Sequence, residues 1–336
     1  MSEAKTFRCA LLGAGMAGDH HVRALGKTTN AKLVAVCDVD KTRAQASLDK
    51  NKATAPIYPD LKTLLSAQEI DVLHIATPSA YHADAAMMAF EKKINVISEK
   101  PLDITLERVD SMIAAAKKSG VRLAGIFQNR WNPANRAVKT ALEQGRFGSL
   151  TWAGAFVLWY REPKYYQSWR GTKDIDGGGA IMNNSIHSID LLQWLVGGVK
   201  SVSAISARRL HQQLEVEDSL SATLQFQNGA LGTVVGTTAM HPGKPARIEI
   251  GGAGGSAVVE GAIKEFKFKE LRPEDEQLLQ PQPPTDFHLG NLQHIFDSWA
   301  AGKDAEVDGA ECRKAVRIVL AMYESAAGGG RPVQVS

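Results

Sequence analysis

The sequence has little of what marks a secreted or membrane-bound protein. Its 336 residues include only three cysteines, and two of these, Cys9 and Cys37, fall in apolar runs, so we expect small buried side chains rather than disulfides. No apolar segment approaches the roughly 20 residues that span a bilayer. The N-terminus shows no charged leader followed by a cleavage site. We therefore expect a cytoplasmic protein without a membrane segment.

An excess of one charge is also missing. Lysines and arginines number 39 against 36 aspartates and glutamates, so no large basic field indicates nucleic acid or a membrane surface as a partner. Internal repeats and extended low-complexity tracts are absent. His20 and His21 are adjacent, cannot share one helix face, and have no cysteine or carboxylate cluster near them, so we predict no metal site. The partners are expected to be small molecules.

The chain is long enough for two hydrophobic cores, and its pattern changes near residue 127. Up to that point short β-branched runs alternate with helical patterns, which predicts a doubly wound parallel sheet. The predicted strands are FRCALLG, KLVAVCD, VLHIAT, INVIS and VRLAGIF, and the predicted helices cover 16–28, 41–53, 80–91 and 105–119. Residues 1–127 are predicted to form the first domain.

The remaining residues, 128–336, are predicted to form a second α/β domain with a large open sheet. After a predicted helix near 132–144, longer alternating segments indicate mainly antiparallel strands. These segments cover 149–160, 200–209, 218–228, 230–238, 245–250 and 256–269. A proline-rich connection at 274–286 and two predicted helices, 286–301 and 309–324, complete the pattern.

The glycine motif GAGMAG lies directly after the first predicted strand and opens a predicted helix. Gly13 permits a tight turn, Gly15 lets the backbone approach a pyrophosphate, and Gly18 lets helix and strand pack closely. The helix N-terminus supplies N–H donors to the phosphates. A bare strand-to-helix turn without a ligand is the alternative. The residues expected to contact a dinucleotide here are Gly13, Gly15, Met16, Ala17 and Gly18.

Asp38 ends the second predicted strand, 20 residues after Gly18. A carboxylate at this place accepts hydrogen bonds from the adenosine ribose hydroxyls and repels a 2'-phosphate, so NAD is predicted in preference to NADP. Lys41 and Arg43 follow closely and could meet such a phosphate if the loop turned back. The alternative, which we favour, is that both are solvated charges in the first turn of a helix.

A lysine stands at the end of another predicted strand, in INVISEKPLD. The carboxyl ends of strands in an open α/β sheet are where ligands bind. Because Lys100 precedes a proline, it is held in an extended or turn conformation. It could exchange a proton with a substrate hydroxyl or stabilise an alkoxide, and Glu99 would help to keep it charged. A surface lysine at a strand end is the alternative.

Asn183, His187 and Asp190 follow the glycine run in DGGGAIMNNSIHSID. Asn183 and His187 are four residues apart and Asp190 follows three later, so one helical face is predicted to carry all three. Asp190 could receive a ring N–H and set the histidine tautomer, or it could point to another partner. The glycines are expected to let ligands approach the backbone. A hydrogen-bonded core histidine is the alternative for His187.

Five ordered motifs resemble those of the Gfo/Idh/MocA family of sugar and cyclitol oxidoreductases. They are GAGMAG, TPSAYH at 77–82, EKP at 99–101, QNRWNP at 128–133 and DGGGAIMNNSIHSID, and EVDGAECRKAVRIVLAMYESAAGG resembles the closing helix of that family. The resemblance implies a Rossmann domain followed by an α/β domain. Its open, mainly antiparallel sheet would mediate homodimer or homotetramer formation, and the active site would lie in the cleft between the domains.

The resemblance also implies roles for particular residues. Lys100 corresponds to the catalytic lysine and His187 to the catalytic histidine. Asn183 stands where the family usually carries an aspartate, and an amide cannot act as acid or base. The residues implied to line the cofactor are Thr77, Pro78, His82, Glu99, Lys100, Gln128, Trp169 and Arg170. Those implied to bind substrate are Lys100, Tyr166, Asn183 and His187, and Arg161, Tyr165, Trp169, Arg170 and His241 could also line the sugar site.

The resulting hypothesis is an NAD-dependent dehydrogenase or reductase that acts on a secondary alcohol of a sugar, sugar derivative or cyclitol. One alternative is a glycosidase that oxidises the sugar transiently, eliminates its substituent and restores the cofactor. The other is a catalytically silent NAD-binding regulator, for which Asn183 is the one sequence feature in favour.

Overall fold

The computed structural model describes residues 6–273, 275–280 and 285–335. Contacts divide them into two compact units. The first holds the described residues within 1–128 together with 286–313, and the second holds those within 129–285 and 314–336. The sequence assigned all of 128–336 to a second domain, whereas residues 286–313 pack within the first unit. The boundary at residue 127 remains a prediction.

The first unit contains a six-stranded sheet covered by helices. Its strands are β1 (Phe7–Leu12), β2 (Ala31–Cys37), β3 (Ile57–Tyr58), β4 (Val72–Ile75), β5 (Asn95–Ser98) and β6 (Leu123–Gly125). Its first helices are α1 (Met16–Leu25), α2 (Lys41–Lys50), α3 (Leu61–Ala67), α4 (His82–Glu91) and α5 (Leu106–Ser119). The strand order is β3-β2-β1-β4-β5-β6, and every pair is parallel.

This order confirms the doubly wound parallel sheet. From β1 the chain adds strands first on one side of the sheet, as β2 and β3, and then on the other, as β4 to β6. Sheets of this kind bind ligands at the point between β1 and β4, beyond the carboxyl ends of the strands. The central strands are apolar because helices cover the sheet; Leu11, Ile75 and Ile97 are fully buried. The short β3 and α3 were not predicted, because a two-residue strand is too short to show a periodic pattern.

The second unit contains an eight-stranded mixed sheet. Its elements are α6 (Pro133–Glu143), β7 (Leu150–Leu158), α7 (Lys173–Asp176), a π-helix (Ala180–Ser185), α8 (Ile186–Val196), β8 (Val199–Ala207), β9 (Ser219–Phe226), β10 (Leu231–Thr237), β11 (Arg247–Gly252), β12 (Gly255–Glu260), β13 (Ala262–Phe268), α9 (Asp275–Leu279) and β14 (Val333–Gln334). The order is β13-β12-β11-β7-β10-β9-β8-β14, in which β7 and β10 are parallel and the other neighbours antiparallel. The predicted open, mainly antiparallel sheet is confirmed.

Two further helices follow α9. Helix α10 (Phe287–Ala300) belongs to the first unit, where Asp286 at its N-cap accepts a hydrogen bond from Arg23 and Gln293 donates one to Thr29. Helix α11 (Gly309–Ala327) contributes residues to both units. Among the described residues, no helix combines the length and the apolar character needed to cross a bilayer.

Two predicted elements differ from the structure. The segment 256–269, predicted as one strand, is the hairpin of β12 and β13, which turns at Gly261 in the left-handed conformation with φ +69°. The connection at 274–286 contains the short helix α9, and its other residues lie partly outside the described ones. In the hairpin, both arms continue one alternating pattern, so the turn leaves little trace in the sequence.

Candidate active site

The glycine turn after β1 has the shape that a dinucleotide phosphate requires. Gly13 has φ +91°, and a Cβ there would lie 2.6 Å from the Ala76 carbonyl oxygen; at Gly18 it would lie 2.0 Å from the Gly13 oxygen. A Cβ at Gly15 would meet nothing within 4 Å. Gly15 is also the N-cap of α1, and because glycine has no side chain, no side chain of the N-cap residue covers the helix N–H groups. The turn therefore leaves open space at a helix N-terminus, which suits an anionic phosphate.

Asp38, after β2, is held by four donors. Its carboxylate accepts hydrogen bonds from the Ala14 and Asp40 backbone N–H groups, at 2.7 and 2.8 Å, and from two nitrogens of Arg43. Burial by itself raises the pKa of Asp38, but these donors outweigh it and lower the pKa, so the side chain is ionised. Arg43 lies exposed in the first turn of α2, as predicted, but its guanidinium also pairs with Asp38, which was not predicted. Lys41 is exposed, as predicted.

Two buried polar atoms at the same edge of the sheet lack partners. Thr77 follows β4 and Gln128 follows β6, and neither Thr77 Oγ1 nor Gln128 Oε1 has a hydrogen-bond partner among the described residues. A buried polar atom without a partner is costly, and a ligand that supplies a donor relieves the cost. A bound dinucleotide could supply such donors, and the cofactor-lining role of both residues remains a prediction.

His82 holds two of the loops at this edge. Its ring is 1% exposed, with Nε2 2.9 Å from the Thr77 carbonyl oxygen and Nδ1 2.8 Å from the Pro101 carbonyl oxygen. Burial lowers the pKa of His82, so the ring is neutral and donates to one carbonyl at a time. Pro78 leads into the short turn before α4. His82 therefore ties the loop after β4 to the loop that carries Lys100.

Lys100 stands two residues after the end of β5, close to its predicted place at a strand end, and Glu99 lies buried beside it. The Lys100 backbone N–H donates to Glu99 Oε2 at 3.2 Å, and His21 Nε2 lies 3.2 Å from Glu99 Oε1. Burial by itself would raise the pKa of Glu99, but His21 and nearby positive charge lower it well below its usual range. The ionised carboxylate only accepts hydrogen bonds, so His21 Nε2 carries a proton.

A group of histidines behind Glu99 was not predicted. His21 Nδ1 lies 2.9 Å from His74 Nδ1, and His20 stacks on His288 with ring centroids 4.8 Å apart. Burial lowers the pKa of His288 to about 4 and holds that of His74 well below its usual value. Adjacent His20 and His21 gave no sign of these partners, because the partners come from β4 and α10. Within the described ranges, no set of three or more His, Cys, Asp and Glu side chains could hold a metal ion.

In the second unit, the glycine run makes room for protein atoms. A Cβ at Gly179 would lie 1.8 Å from the Glu217 carbonyl oxygen, and one at Gly178 would lie 2.1 Å from Tyr323 Oη. The expectation that these glycines let ligands approach the backbone is thus replaced at Gly178 and Gly179 by a packing requirement. The π-helix begins at Ala180, immediately after the run.

Glu217 is a buried carboxyl that the sequence did not single out. It accepts hydrogen bonds from the Gly179 and Ile181 backbone N–H groups, at 3.1 and 2.9 Å, and from the Tyr323 hydroxyl at 2.9 Å. Burial raises the pKa of Glu217 to about 7, although these donors oppose the rise. The side chain thus holds the start of the π-helix. It lies just before β9, where nothing in the sequence marks it.

The three polar residues of the helix have different surroundings. Asn183 Nδ2 donates to Asp176 Oδ1 at 2.7 Å, and the buried Asp176 also accepts from the Gly171 N–H at 2.8 Å. Both oxygens of Asp190 accept hydrogen bonds from the buried Arg130. Of the two predicted alternatives, a histidine ring or another partner, the structure thus shows another partner, Arg130.

The predicted i, i+4 relation must be modified, because Asn183 lies in the π-helix and His187 in α8. Asn183 and His187 are both partly exposed, whereas Asp190 is buried. The carboxylate that accepts a hydrogen bond from Asn183 is Asp176, directly before the glycine run.

An aromatic and basic segment precedes the glycine run. The Arg161 guanidinium carbon lies 4.7 Å from the Trp159 ring centroid and 4.8 Å from that of Tyr165. Arg170 lies 4.8 Å from the same Tyr165 ring and 5.0 Å from that of Trp169. Burial raises the pKa of Tyr165, while the charges of Arg170 and Arg161 oppose the rise. Both arginines are partly exposed.

Tyr166 and His241, two other expected substrate contacts, lie in the same unit. Tyr166 donates its hydroxyl to Thr238 Oγ1 at 2.7 Å, and burial raises its pKa to about 12. His241 is exposed and meets the Tyr160 ring edge-on, with centroids 5.0 Å apart. Tyr166 is thus a neutral hydroxyl with a fixed partner, and its role in substrate binding remains a prediction.

Comparisons with known proteins agree with this geometry. The oxidoreductase family with an NAD-binding Rossmann fold, Gfo/Idh/MocA, matches residues 7–127, and the Gfo/Idh/MocA C-terminal domain matches residues 135–258. The solved structure of the WlbA dehydrogenase from Bordetella pertussis, in complex with NADH and UDP-GlcNAcA, is 31% identical, covers 98% of each chain and has a TM-score of 0.89.

Two curated relatives are dehydrogenases of sugars or cyclitols. The D-glucoside 3-dehydrogenase of Escherichia coli is 27% identical, with 96% of each chain covered. The inositol 2-dehydrogenase of Salmonella typhimurium is 31% identical over 57% of this chain and 55% of its own. The chain therefore belongs to the Gfo/Idh/MocA family of oxidoreductases and carries an NAD-binding Rossmann domain.

Proposed function

We propose that this protein is an NAD-dependent dehydrogenase or reductase that transfers a hydride between the nicotinamide and a secondary alcohol of a sugar, sugar derivative or cyclitol. The observation that carries the proposal is the position of Lys100. It follows β5 at the carboxyl edge of the first sheet. At the same edge, the turn after β1 has an open Gly15, and the ionised Asp38 follows β2. A titratable side chain thus stands among the residues that fit the cofactor.

We assign proton transfer to Lys100 or His187. When bound, the nicotinamide supplies a hydride acceptor or donor at its C4 atom. As the alcohol is oxidised, one of the two side chains takes the hydroxyl proton; in reduction it returns the proton. Asn183 is assigned to substrate positioning, because its amide donates to Asp176 and cannot itself titrate.

The cofactor assignment prefers NAD to NADP. The ionised Asp38 would accept hydrogen bonds from the ribose hydroxyls and repel a 2'-phosphate. Thr77 Oγ1 and Gln128 Oε1 offer further polar contacts. Gly13, Met16, Ala17 and Gly18 are assigned to the phosphate turn, and Pro78, His82, Glu99, Trp169 and Arg170 remain assigned as cofactor-lining residues.

The substrate class follows from the relatives. The WlbA dehydrogenase was solved with UDP-GlcNAcA, and the curated relatives are named for D-glucosides and inositol. A panel of nucleotide sugars, sugar acids, glycosides and inositols, scanned for NADH formation and consumption, tests the proposal. Turnover of at least one member supports it, and binding of NAD without turnover of any member would identify a silent regulator. Release of an aglycone without net NADH would identify a glycosidase.

We also propose that the protein works in the cytoplasm as a homodimer or homotetramer. The three cysteines, Cys9, Cys37 and Cys312, are all buried, which suits a reducing compartment. One face of the second sheet offers a surface for a second copy, since residues along β9 alternate between buried and exposed and Leu231 of β10 is 58% exposed. Light scattering of the purified protein measures the assembly.

A further inference from the structure

Arg161 and Arg170 form a cationic pair to which the proposed hydride and proton transfers assign no step. Each guanidinium lies 4.8 Å from the Tyr165 ring centroid, so the two charges are no more than twice that distance apart. Within the described part of the chain, neither arginine has a carboxylate at ion-pair distance. Holding two like charges together without a counter-charge is unfavourable, and a bound anion removes the cost.

The acids around this pair are already engaged. Glu162 pairs with Lys164 at 2.8 Å, and Glu215 accepts the Lys173 backbone N–H at 2.7 Å. Asp176 is buried and accepts from the Gly171 N–H and from Asn183. Within the described residues, none of these three carboxylates forms an ion pair with Arg161 or Arg170, so both guanidinium groups can pair with a ligand anion.

The pair is tied to the helix of the candidate catalytic residues. Arg161 Nε donates to Asn184 Oδ1 at 3.2 Å, and the buried Asn184 directly follows Asn183. This bond and the flanking rings of Trp159 and Tyr165 fix the plane of the guanidinium, while the side chain stays partly exposed. A planar guanidinium held in this way suits bidentate binding of a carboxylate or a phosphate.

We propose that Arg161 and Arg170 select an anionic sugar as substrate, by binding a carboxylate or a phosphate that is not itself oxidised. The inference rests on the proposed function and narrows its substrate class. Among the relatives, UDP-GlcNAcA carries both a carboxylate and a diphosphate, whereas inositol is neutral. Binding energy from a remote anion orients the reacting alcohol, so its loss weakens substrate binding before it changes the chemistry.

The test measures binding to the NADH-loaded protein by calorimetry, so that it does not depend on turnover. The probes are UDP-GlcNAcA, UDP-GlcNAc, which carries the diphosphate alone, glucuronate, which carries the carboxylate alone, and myo-inositol. We expect at least one anionic probe to bind about tenfold or more tightly than myo-inositol. If glucuronate binds more tightly than myo-inositol, the recognised anion is the carboxylate. If UDP-GlcNAc does so, the recognised anion is the phosphate.

Variants then assign the effect. Arg161→Gln and Arg170→Gln should each lower the affinity for the tightest anionic probe by about tenfold or more. Arg161→Lys should lower this affinity less. In the matched control Lys164→Gln the affinity should stay within about twofold of the wild type. NADH affinity and melting temperature of each variant report cofactor binding and folding.

The inference is overturned if no anionic probe binds more tightly than myo-inositol, or if both glutamine variants keep the wild-type affinity. A weaker affinity for NADH in Arg170→Gln, with the anionic probe unaffected, would overturn the assignment of Arg170. Turnover of neutral sugars alone would overturn this inference and leave the proposed function standing. Failure of the proposed function would instead show as anionic binding that depends on Arg161 but gives no turnover.

Discussion

The guanidinium of Arg43 donates two hydrogen bonds to the carboxylate of Asp38, with Nη2 2.5 Å from Oδ1 and Nε 3.2 Å from Oδ2. Asp38 is the group assigned to the ribose hydroxyls, so Arg43 occupies the oxygens that a ribose would use. The Arg43 side chain is 47% exposed, so a ligand at Asp38 would also meet Arg43. The preference for NAD over NADP should therefore depend on both Asp38 and Arg43.

Replacement of the aspartate tests this dependence. Asp38→Ala should weaken NAD binding by about tenfold and narrow the preference for NAD over NADP, because the carboxylate that repels a 2'-phosphate is gone while Arg43 remains as a cation. Titration of both cofactors measures the ratio. In the double variant Asp38→Ala/Arg43→Ala the affinity for NADP should fall below that of Asp38→Ala, because the cation that meets the 2'-phosphate is also removed. An unchanged NAD to NADP ratio in Asp38→Ala would contradict the assignment.

His187 is expected to act on the substrate and not on the cofactor. His187→Asn should lower kcat by about a hundredfold or more, because a positioned proton-transfer group contributes on that scale. NAD affinity, measured by fluorescence titration, should stay within about twofold and serves as the control for folding. Wild-type kcat in this variant would leave Lys100 as the only candidate for proton transfer.

Asn183 can be returned to the aspartate that the family usually carries. In Asn183→Asp the introduced carboxyl would stand where the amide now donates to Asp176 at 2.7 Å. Two carboxyl groups so close cannot both ionise readily, so the pair should share a proton and raise one pKa. The pH profile of kcat should gain an inflection that the uncharged control Asn183→Ala lacks. Identical profiles for the two variants would show that Asp176 is not coupled to the site.

Glu217 should make stability depend on pH. Its folded pKa of about 7 lies above the usual 4.5, so between these values the folded protein binds more protons than the unfolded chain. Its contribution is therefore most favourable below about pH 4.5, is lost as the pH rises to about 7, and changes by about 3 kcal/mol in total.

Melting temperature measured across this pH range checks the sign. The wild-type value should fall by several degrees more than that of Glu217→Gln as the pH rises from about 5 to about 7.5. Glu215→Gln, which alters an exposed neighbour, should follow the wild type. Parallel curves for all three proteins would show that Glu217 does not titrate in this range.

The sequence predicted the elements whose signal is local. Alternating apolar runs and helical patterns identified β1, β2, β4 and β5 with their helices, and the glycine motif located the phosphate turn. The position of Lys100 near the end of a strand was predicted because Lys100 follows an apolar run and precedes a proline, and its role remains a prediction. The residues at the carboxyl edge of the first sheet were therefore largely predictable.

Features that depend on distant partners were not predictable. His21 bonds to His74 and Glu99, and Glu217 bonds to Tyr323, over separations that no periodic pattern reveals. A π-helix replaces the start of a predicted α-helix, and at its start the distant Glu217 accepts the N–H groups of Gly179 and Ile181. The pairing of Arg43 with Asp38 was not predicted, because a charged side chain in the first turn of a helix is usually solvated.

The central claim is hydride transfer from a sugar alcohol with Lys100 in the proton path. Mass analysis of NADH formed in a single turnover, from NAD-loaded protein and deuterated members of the sugar panel, tests it most directly. We predict that wild type and the control Lys92→Met form NADH carrying one deuterium, and that Lys100→Met does so at least about a hundredfold more slowly while still binding NAD. Absence of deuterated NADH with every sugar, or a wild-type rate in Lys100→Met, would contradict the account.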